Sequence, residues 1–279
     1  MKRDSFRDSL SSSYHRFVKR GFSGITASTR VLPDFIIIGT VRSGTTSLYY
    51  NICEHPSVLP AAYDEIGFFD SNYHLGIKWY QSMFPKQKQM EEIKKNTGFA
   101  VTGEDTPFYF WKKEAIDRIF QYLPNVKIIA IFRNPIDRAF SNYNLGVRMK
   151  TEKSTFEETI DEEIKFLEKN SFREAIDRKR SYVTKGIYEN QIQNWLKIFP
   201  NKQIHMISTE EMEKKPIETL QKVFKFLDIP DYRITNPQKQ KSADYKKMDF
   251  KTRQKLLEFY RPHNERFFDI IKQRFDWDL

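Results

Sequence analysis

Cysteine is nearly absent from this chain: one residue, Cys53, among 279, which excludes an internal disulfide. Cys53 lies in a helical pattern beside Tyr49 and Ile52, which reads as a small buried hydrophobe rather than a nucleophile. No apolar run approaches the length of a membrane span. The first thirty-odd residues are basic and rich in Ser and Thr but hold no apolar core, so they do not read as a secretory signal. Asp4 and Asp8 also set them apart from an organellar transit segment. Residues 1–32 read instead as a flexible or loosely docked arm. Internal repeats and long low-complexity linkers are missing too, leaving one domain over 33–279.

Charge is present in excess of one sign. Forty-seven Lys and Arg stand against 37 Asp and Glu, a net +10, which favours anionic partners. A soluble basic surface alone produces the same surplus. Many of the lysines sit in mixed runs such as Glu91-Glu92-Ile93-Lys94-Lys95, the pattern of a solvated helix face. No nucleic-acid-binding motif is recognisable, so a nucleic-acid partner is not expected.

The densest signal is Phe35-Ile36-Ile37-Ile38-Gly39-Thr40-Val41-Arg42-Ser43-Gly44-Thr45-Thr46-Ser47-Leu48-Tyr49. An apolar strand runs into a glycine-punctuated loop, then into an amphipathic helix with Leu48, Tyr49, Ile52 and Cys53 on one side. Such a loop lets backbone N–H groups at the helix start point at an anion. The ATP-binding version places Lys directly after the second glycine, and here Thr45 occupies that place. The only cation of the loop is Arg42. Neither apolar strand expected to follow ends in a carboxylate of the kind that helps hold magnesium. The pattern suits an anionic nucleotide and argues against Mg-ATP hydrolysis.

Strands are expected at Phe35–Ile38, Phe99–Gly103, Val126–Phe132 and Ile204–Ser208. Helices are expected at Lys113–Tyr122, Thr155–Glu168, Tyr188–Phe199, Pro216–Leu227 and Lys251–Arg274, with Pro262 bending or breaking the last. The alternation predicts an α/β fold: a single P-loop-like domain whose central parallel β-sheet is flanked by helices on both faces. In such sheets ligands sit beyond the carboxyl ends of the strands. The loop at Gly39–Thr46 and the residues after Phe132 therefore belong on one edge.

Those residues form a second anion-binding pattern, Arg133-Asn134-Pro135-Ile136-Asp137-Arg138-Ala139-Phe140-Ser141. Pro135 suits the first helical position. Arg133 at the strand end can fork onto a phosphate, with Ser141 donating a further bond from the helix. Arg138 either pairs with Asp137 or reaches a neighbouring helix. Two phosphate clamps on one sheet edge suit a nucleotide phosphorylated at two places.

Together the two elements resemble the sulfotransferase family, whose donor is 3′-phosphoadenosine 5′-phosphosulfate (PAPS). The heparan-sulfate type, comprising N-deacetylase/N-sulfotransferase and 3-O-sulfotransferase domains, is the branch most similar. Asp64-Glu65-Ile66-Gly67-Phe68-Phe69-Asp70 resembles its Glu-containing segment ending in Phe-Phe. Asn72 to Tyr80, Phe84-Pro85, Glu104-Asp105-Thr106-Pro107-Phe108-Tyr109, Gly186-Ile187-Tyr188 with Trp195, and Phe259-Tyr260-Arg261-Pro262-His263-Asn264 extend the likeness from Pro33 to Trp277. The resemblance implies that Arg42, Ser43, Gly44, Thr45, Thr46 and Ser47 bind the 5′-phosphosulfate and that Arg133 and Ser141 bind the 3′-phosphate. It implies Glu65 as general base, with Arg42 stabilising the leaving phosphate, and release of 3′-phosphoadenosine 5′-phosphate (PAP) without a metal. The acceptor implied is a hydroxyl or amine of a carbohydrate, glycolipid or small molecule.

The sequence departs from that branch in places. Arg42 and Asp64 stand where those enzymes carry Lys. Their late Lys-Gly-Arg loop has only Lys239-Gln240-Lys241-Ser242 and Tyr245-Lys246-Lys247 as counterparts. Their membrane anchor and disulfide have no match, which leads to an expectation of a cytoplasmic enzyme. His74, Asp70 and Asp105 are expected to shape the acceptor cleft, His74 either assisting proton transfer or making a structural hydrogen bond. Phe68, Phe69, Trp79 and Tyr80 read as core. Gly186 and Tyr188 either contact the adenine side or start the next helix. The competing readings are a P-loop-type kinase and a non-catalytic polyanion-binding protein.

Overall fold

A computed structural model of the protein describes residues 27–237 and 247–277. Five strands, β1 (Phe35–Gly39), β2 (Val58–Pro60), β3 (Val101–Asp105), β4 (Lys127–Phe132) and β5 (Ile204–Ser208), form one sheet in the order β2-β3-β1-β4-β5. Every neighbouring pair is parallel, so all five carboxyl ends lie on one edge. Between and around them run α1 (Thr45–Cys53), α2 (Ile77–Gln81), α3 (Gln87–Thr97), α4 (Lys113–Tyr122), α5 (Pro135–Arg148) and α6 (Phe156–Lys169). The remaining helices are α7 (Phe172–Ile176), α8 (Glu189–Ile198), α9 (Thr209–Lys214), α10 (Pro216–Phe226) and α11 (Phe250–Ile271).

The period of two along each strand divides the core. Ile36 and Ile38 of β1, with Ile128, Ala130 and Phe132 of β4, face Tyr80, Ile119, Trp195 and Phe267 of α2, α4, α8 and α11. Phe35, Ile37, Ile129 and Ile131 face the other way, onto Leu48 and Ile52 of α1 and Val223 and Phe224 of α10. With both faces covered, β1 is buried along its whole length, which is why it reads as an unbroken apolar run. A third cluster, including Ile136, Phe156, Leu256 and Tyr260, seats α5, α6 and α11 together.

The expected parallel sheet is present, and several boundaries differ. β3 begins and ends two residues later than its apolar pattern suggests; Phe99 lies outside it and is exposed. β2 is too short to show a period, and α3 buries none of its side chains, so neither has a sequence signature. α11 runs through Pro262 unbroken. The proline costs the helix one hydrogen bond, but Tyr260, Asn264 and Phe267 on either side of it are buried and hold both halves in place. Residues at the end of the supposed arm are docked: Val31 N–H donates to the Pro85 carbonyl at 3.1 Å and Gln81 Nε2 to the Arg30 carbonyl at 2.7 Å. No helix among the described residues is long and apolar enough to cross a membrane.

The β1–β3 contact depends on a missing side chain. Gly103 pairs in register with Phe35, and a Cβ there would lie 2.5 Å from three atoms of the Phe35 ring. Gly103→Ala should lower unfolding free energy by about 1–3 kcal/mol through overpacking, read as a lower urea midpoint. An unchanged midpoint would contradict this packing.

Candidate active site

The loop after β1 is shaped by its two glycines. A Cβ on Gly39 would lie 2.7 Å from Phe110 Cβ and 3.1 Å from the Pro107 carbonyl, so the turn that follows β3 packs directly on the loop backbone. Gly44 sits at φ +85° as the residue capping α1, a conformation that side chains with a Cβ resist. Within the loop Thr40 Oγ1 and Ser43 Oγ lie 2.6 Å apart, and Ser43 N–H donates to the Thr40 carbonyl at 3.1 Å. The first bond inside α1 runs from Leu48 N–H to the Gly44 carbonyl. The amides of Thr45, Thr46 and Ser47 thus belong to the helix start, where donors collect and the helix dipole is positive.

The second element meets this loop directly. Asn134 Oδ1 accepts from Ile136 N–H at 3.0 Å and Pro135 opens α5, so the chain turns sharply at the end of β4. Arg42 Nε donates to Ser141 Oγ at 3.1 Å, and an Arg133 guanidinium nitrogen donates to the Arg42 carbonyl at 3.3 Å. Arg42, Arg133 and Ser141, spread over a hundred residues of sequence, form one cluster. Arg42 itself has a left-handed backbone, φ +70°. Arg138 does not pair with Asp137: it is fully buried and donates to the Tyr182 carbonyl, while Asp137 pairs with Arg253 of α11 at 2.8 Å.

Three residues that the sequence reading passed over, or left open, hold the cluster from behind. Thr209 Oγ1 lies 2.7 Å from the Ser43 carbonyl and 2.9 Å from that of Phe132, tying the loop to the end of β4. Glu210 Oε1 accepts from Asn134 N–H at 2.9 Å, and its Oε2 accepts from Ser208 Oγ at 2.9 Å and Trp277 Nε1 at 3.0 Å. Tyr188 starts α8, and its hydroxyl donates to the Arg133 carbonyl at 2.9 Å. Thr209 and Glu210 directly follow β5, so the rule that ligands gather at strand carboxyl ends was the signal that could have found them.

The acidic side lies at the end of β3. Glu65 is exposed, sits at φ +49°, and donates its N–H to the Asp105 carbonyl at 2.9 Å. Partial desolvation, then the charges of Asp64 and Asp70, push its carboxyl above the usual glutamate range. Glu104 is fully buried and accepts hydroxyl bonds from Tyr80 at 2.6 Å, Thr106 at 2.6 Å and Tyr109 at 3.2 Å. Burial pushes it up to about 7, and those three bonds oppose the rise. Asp105 is also buried, and neither of its carboxyl oxygens has a hydrogen-bond partner among the described residues. Burial, followed by the charges of Asp64, Glu104 and Glu65, pushes Asp105 up to about 8.

That geometry corrects one step of the sequence reading. β4 and β5 end in Phe132 and Ser208, but β3, the strand beside β1, ends in Asp105. A carboxylate therefore does stand on this edge next to the loop, although no group of three metal-ligating side chains occurs among the described residues. His74 is exposed on the turn Tyr73–Leu75. Phe68, Phe69 and Tyr80 are fully buried and Trp79 packs half-buried against them, as core. Cys53 packs against the face shared by α1 and α10, and burial pushes its thiol up to about 12. The segment Lys239–Ser242 and residues Tyr245 and Lys246 lie outside the described residues.

Comparison with known proteins places this geometry in context. The chain is 24% identical to a crystal structure of a sulfotransferase from Alicyclobacillus acidocaldarius, with a TM-score of 0.67 over 88% of this chain and 98% of that one. The fold is therefore the sulfotransferase fold. A membrane-associated sulfotransferase, kil1, of Dictyostelium discoideum is 26% identical over 88% of this chain and 66% of its own length. The human bifunctional heparan sulfate N-deacetylase/N-sulfotransferase 3 is 30% identical over 84% of this chain and 29% of its own. The human heparan sulfate glucosamine 3-O-sulfotransferase 3B1 is 29% identical over 92% and 67%. The chain thus spans about two thirds of two of these relatives and under a third of the other. The sulfotransferase domain family matches residues 32–269, a span that includes both loops, and the chain belongs to this family.

Proposed function

We propose that the protein transfers a sulfuryl group from PAPS to a hydroxyl or amine of a carbohydrate, glycolipid or small-molecule acceptor. The observation that carries this reading is the meeting of the two anion-binding elements, Arg42 Nε on Ser141 Oγ and Arg133 on the Arg42 carbonyl. Ser43 to Ser47 and Arg42 would hold the 5′-phosphosulfate at the α1 start. Arg133 and Ser141 would hold the 3′-phosphate. Heparan sulfate relatives favour a glycan acceptor.

In the step, the acceptor oxygen or nitrogen forms a bond to sulfur while the bond from sulfur to the bridging phosphate oxygen breaks. The acceptor proton goes to Glu65, and PAP departs with the negative charge that Arg42 and the helix-start amides would stabilise. The sulfuryl group carries less charge than a phosphoryl group, so less charge has to be neutralised in the step. Asp105 at the end of β3 revives one element of the kinase reading, but Thr45 still stands where that chemistry needs Lys.

Calorimetry with PAP, and transfer from labelled PAPS to heparan sulfate, glycolipids and simple alcohols, test the reading. The parent protein should bind PAP and show no Mg-dependent turnover of ATP; the reverse pattern would replace this reading with the kinase one. Arg133→Ala should weaken PAP binding by about 10- to 100-fold, the loss of charge-assisted hydrogen bonds.

Glu65→Gln should bind PAP within about twofold of the parent yet lose about 10²–10⁴-fold in transfer. Full activity in that variant would remove Glu65 from the role of base. Because the Glu65 carboxyl is raised, transfer should fall with acidification through a midpoint above the ordinary value of about 4.3. The sign follows from the base: protonation removes the acceptor for the proton, so activity is present above that midpoint and lost below it.

A further inference from the structure

The segment carrying Glu65 is held by an alternating set of bonds. Glu65 N–H donates to the Asp105 carbonyl at 2.9 Å, Gly67 N–H to Thr106 Oγ1 at 3.2 Å and Phe69 N–H to the Tyr109 hydroxyl at 3.2 Å. Every second amide is therefore fastened to the chain that follows β3. Two of the three acceptors are hydroxyls, and a hydroxyl that accepts from an amide has to point its own proton elsewhere. Both point it at the same group: Thr106 donates to Glu104 Oε2 at 2.6 Å and Tyr109 to Glu104 Oε1 at 3.2 Å.

Glu104 thus works like a two-pronged acceptor. Its carboxylate fixes both hydroxyl rotors so that their lone pairs face the loop amides. Tyr80 also donates to Glu104 Oε1, at 2.6 Å, and no hydrogen bond from Tyr80 to the loop amides accompanies it. The backbone so fastened includes a disfavoured conformation, Glu65 at φ +49°, where non-glycine residues are uncommon. Asn72 Nδ2 on the Ile66 carbonyl at 2.8 Å and Arg118 on the Phe69 carbonyl at 2.8 Å hold the carbonyl side of the same segment.

We propose that Glu104 is a positioning residue for the proposed base: through the hydroxyls of Thr106 and Tyr109 it orients the 65–69 segment and so sets the direction of the Glu65 carboxylate. Glu104 acts at one remove, buried beneath the loop, and touches no substrate. This inference rests on the reading of Glu65 as base, and its structural half stands apart from that reading.

Four variants test it: Thr106→Val, Tyr109→Phe, Glu104→Gln and Tyr80→Phe. Amide hydrogen exchange over residues 65–69 is measured for each, which requires no activity. Thr106→Val and Tyr109→Phe each remove one relay hydroxyl and should speed exchange of this segment by about fivefold or more, the worth of one hydrogen bond. Tyr80→Phe removes a bond to Glu104 that does not continue to the loop, and exchange there should stay within about twofold.

With labelled PAPS and heparan sulfate, Thr106→Val, Tyr109→Phe and Glu104→Gln should lower kcat by about 10- to 100-fold, with KM and the Kd for PAP within about twofold. The double variant Glu104→Gln/Thr106→Val should lose little more than Glu104→Gln alone, because the two act in series. Unchanged exchange in both hydroxyl variants, or an equal loss in Tyr80→Phe, would overturn the proposal and leave Glu104 as a core group only. If Glu104→Gln does not fold, the other three variants decide. Failure of the parent to bind PAP would sink the donor reading and leave the exchange comparison to judge the loop.

Discussion

The parallel pairing of β1 with β4 is the constraint on which the rest of the molecule depends. Both strands are apolar along nearly their whole length and buried on both faces, so they pair side by side at the centre of the sheet. Parallel pairing puts their carboxyl ends at one edge, and each end opens into a loop that turns into a helix. One loop contributes Arg42 and the start of α1, the other Arg133 and the start of α5. Neither loop alone brings Arg42 and Arg133 together. Their adjacency follows from strand order, with β1 and β4 neighbours although ninety residues separate them.

The cationic cluster is supported by groups that carry none of its charge. Thr209 bridges the carbonyls of Ser43 and Phe132, Glu210 takes the Asn134 amide, and Tyr188 takes the Arg133 carbonyl. These bonds fix backbone, while the guanidinium of Arg42 bonds Ser141 Oγ and that of Arg133 bonds the Arg42 carbonyl. Donors fixed before a ligand arrives stabilise developing charge without the cost of reorganising. The same logic appears on the acidic side, where a buried carboxylate orients hydroxyls and the hydroxyls orient amides.

Burial treats the acidic groups unequally. Glu65 reaches solvent, and desolvation, then the charges of Asp64 and Asp70, raise its carboxyl. Glu104 is buried but surrounded by three hydroxyl donors, which oppose the desolvation. Asp105 is buried with no hydrogen-bond partner for its carboxyl oxygens and is raised further, to about 8. Three carboxyls within a short stretch of space thus face proton transfer on quite different terms.

Much of this was legible in the residues themselves. Binary pattern revealed β1 and β4, the glycines and Pro135 marked the two turns, and the absence of Lys after Gly44 separated the loop from its ATP-binding counterpart. These features are local: they depend on a handful of neighbouring residues and on rules of backbone conformation. β2 and α3 escaped because a three-residue strand has no period and an exposed helix has no buried stripe. The roles of Thr209, Glu210 and Glu104 escaped for a different reason. Their partners lie up to 166 residues away in the chain, and nothing in the local sequence says which hydroxyl a buried carboxylate will meet. Sequence alone determined that two strand-to-helix turns exist and which side chains each carries. Only the packed sheet decided that they face one another, because distance in space is set by strand order and register, which no short window of residues encodes.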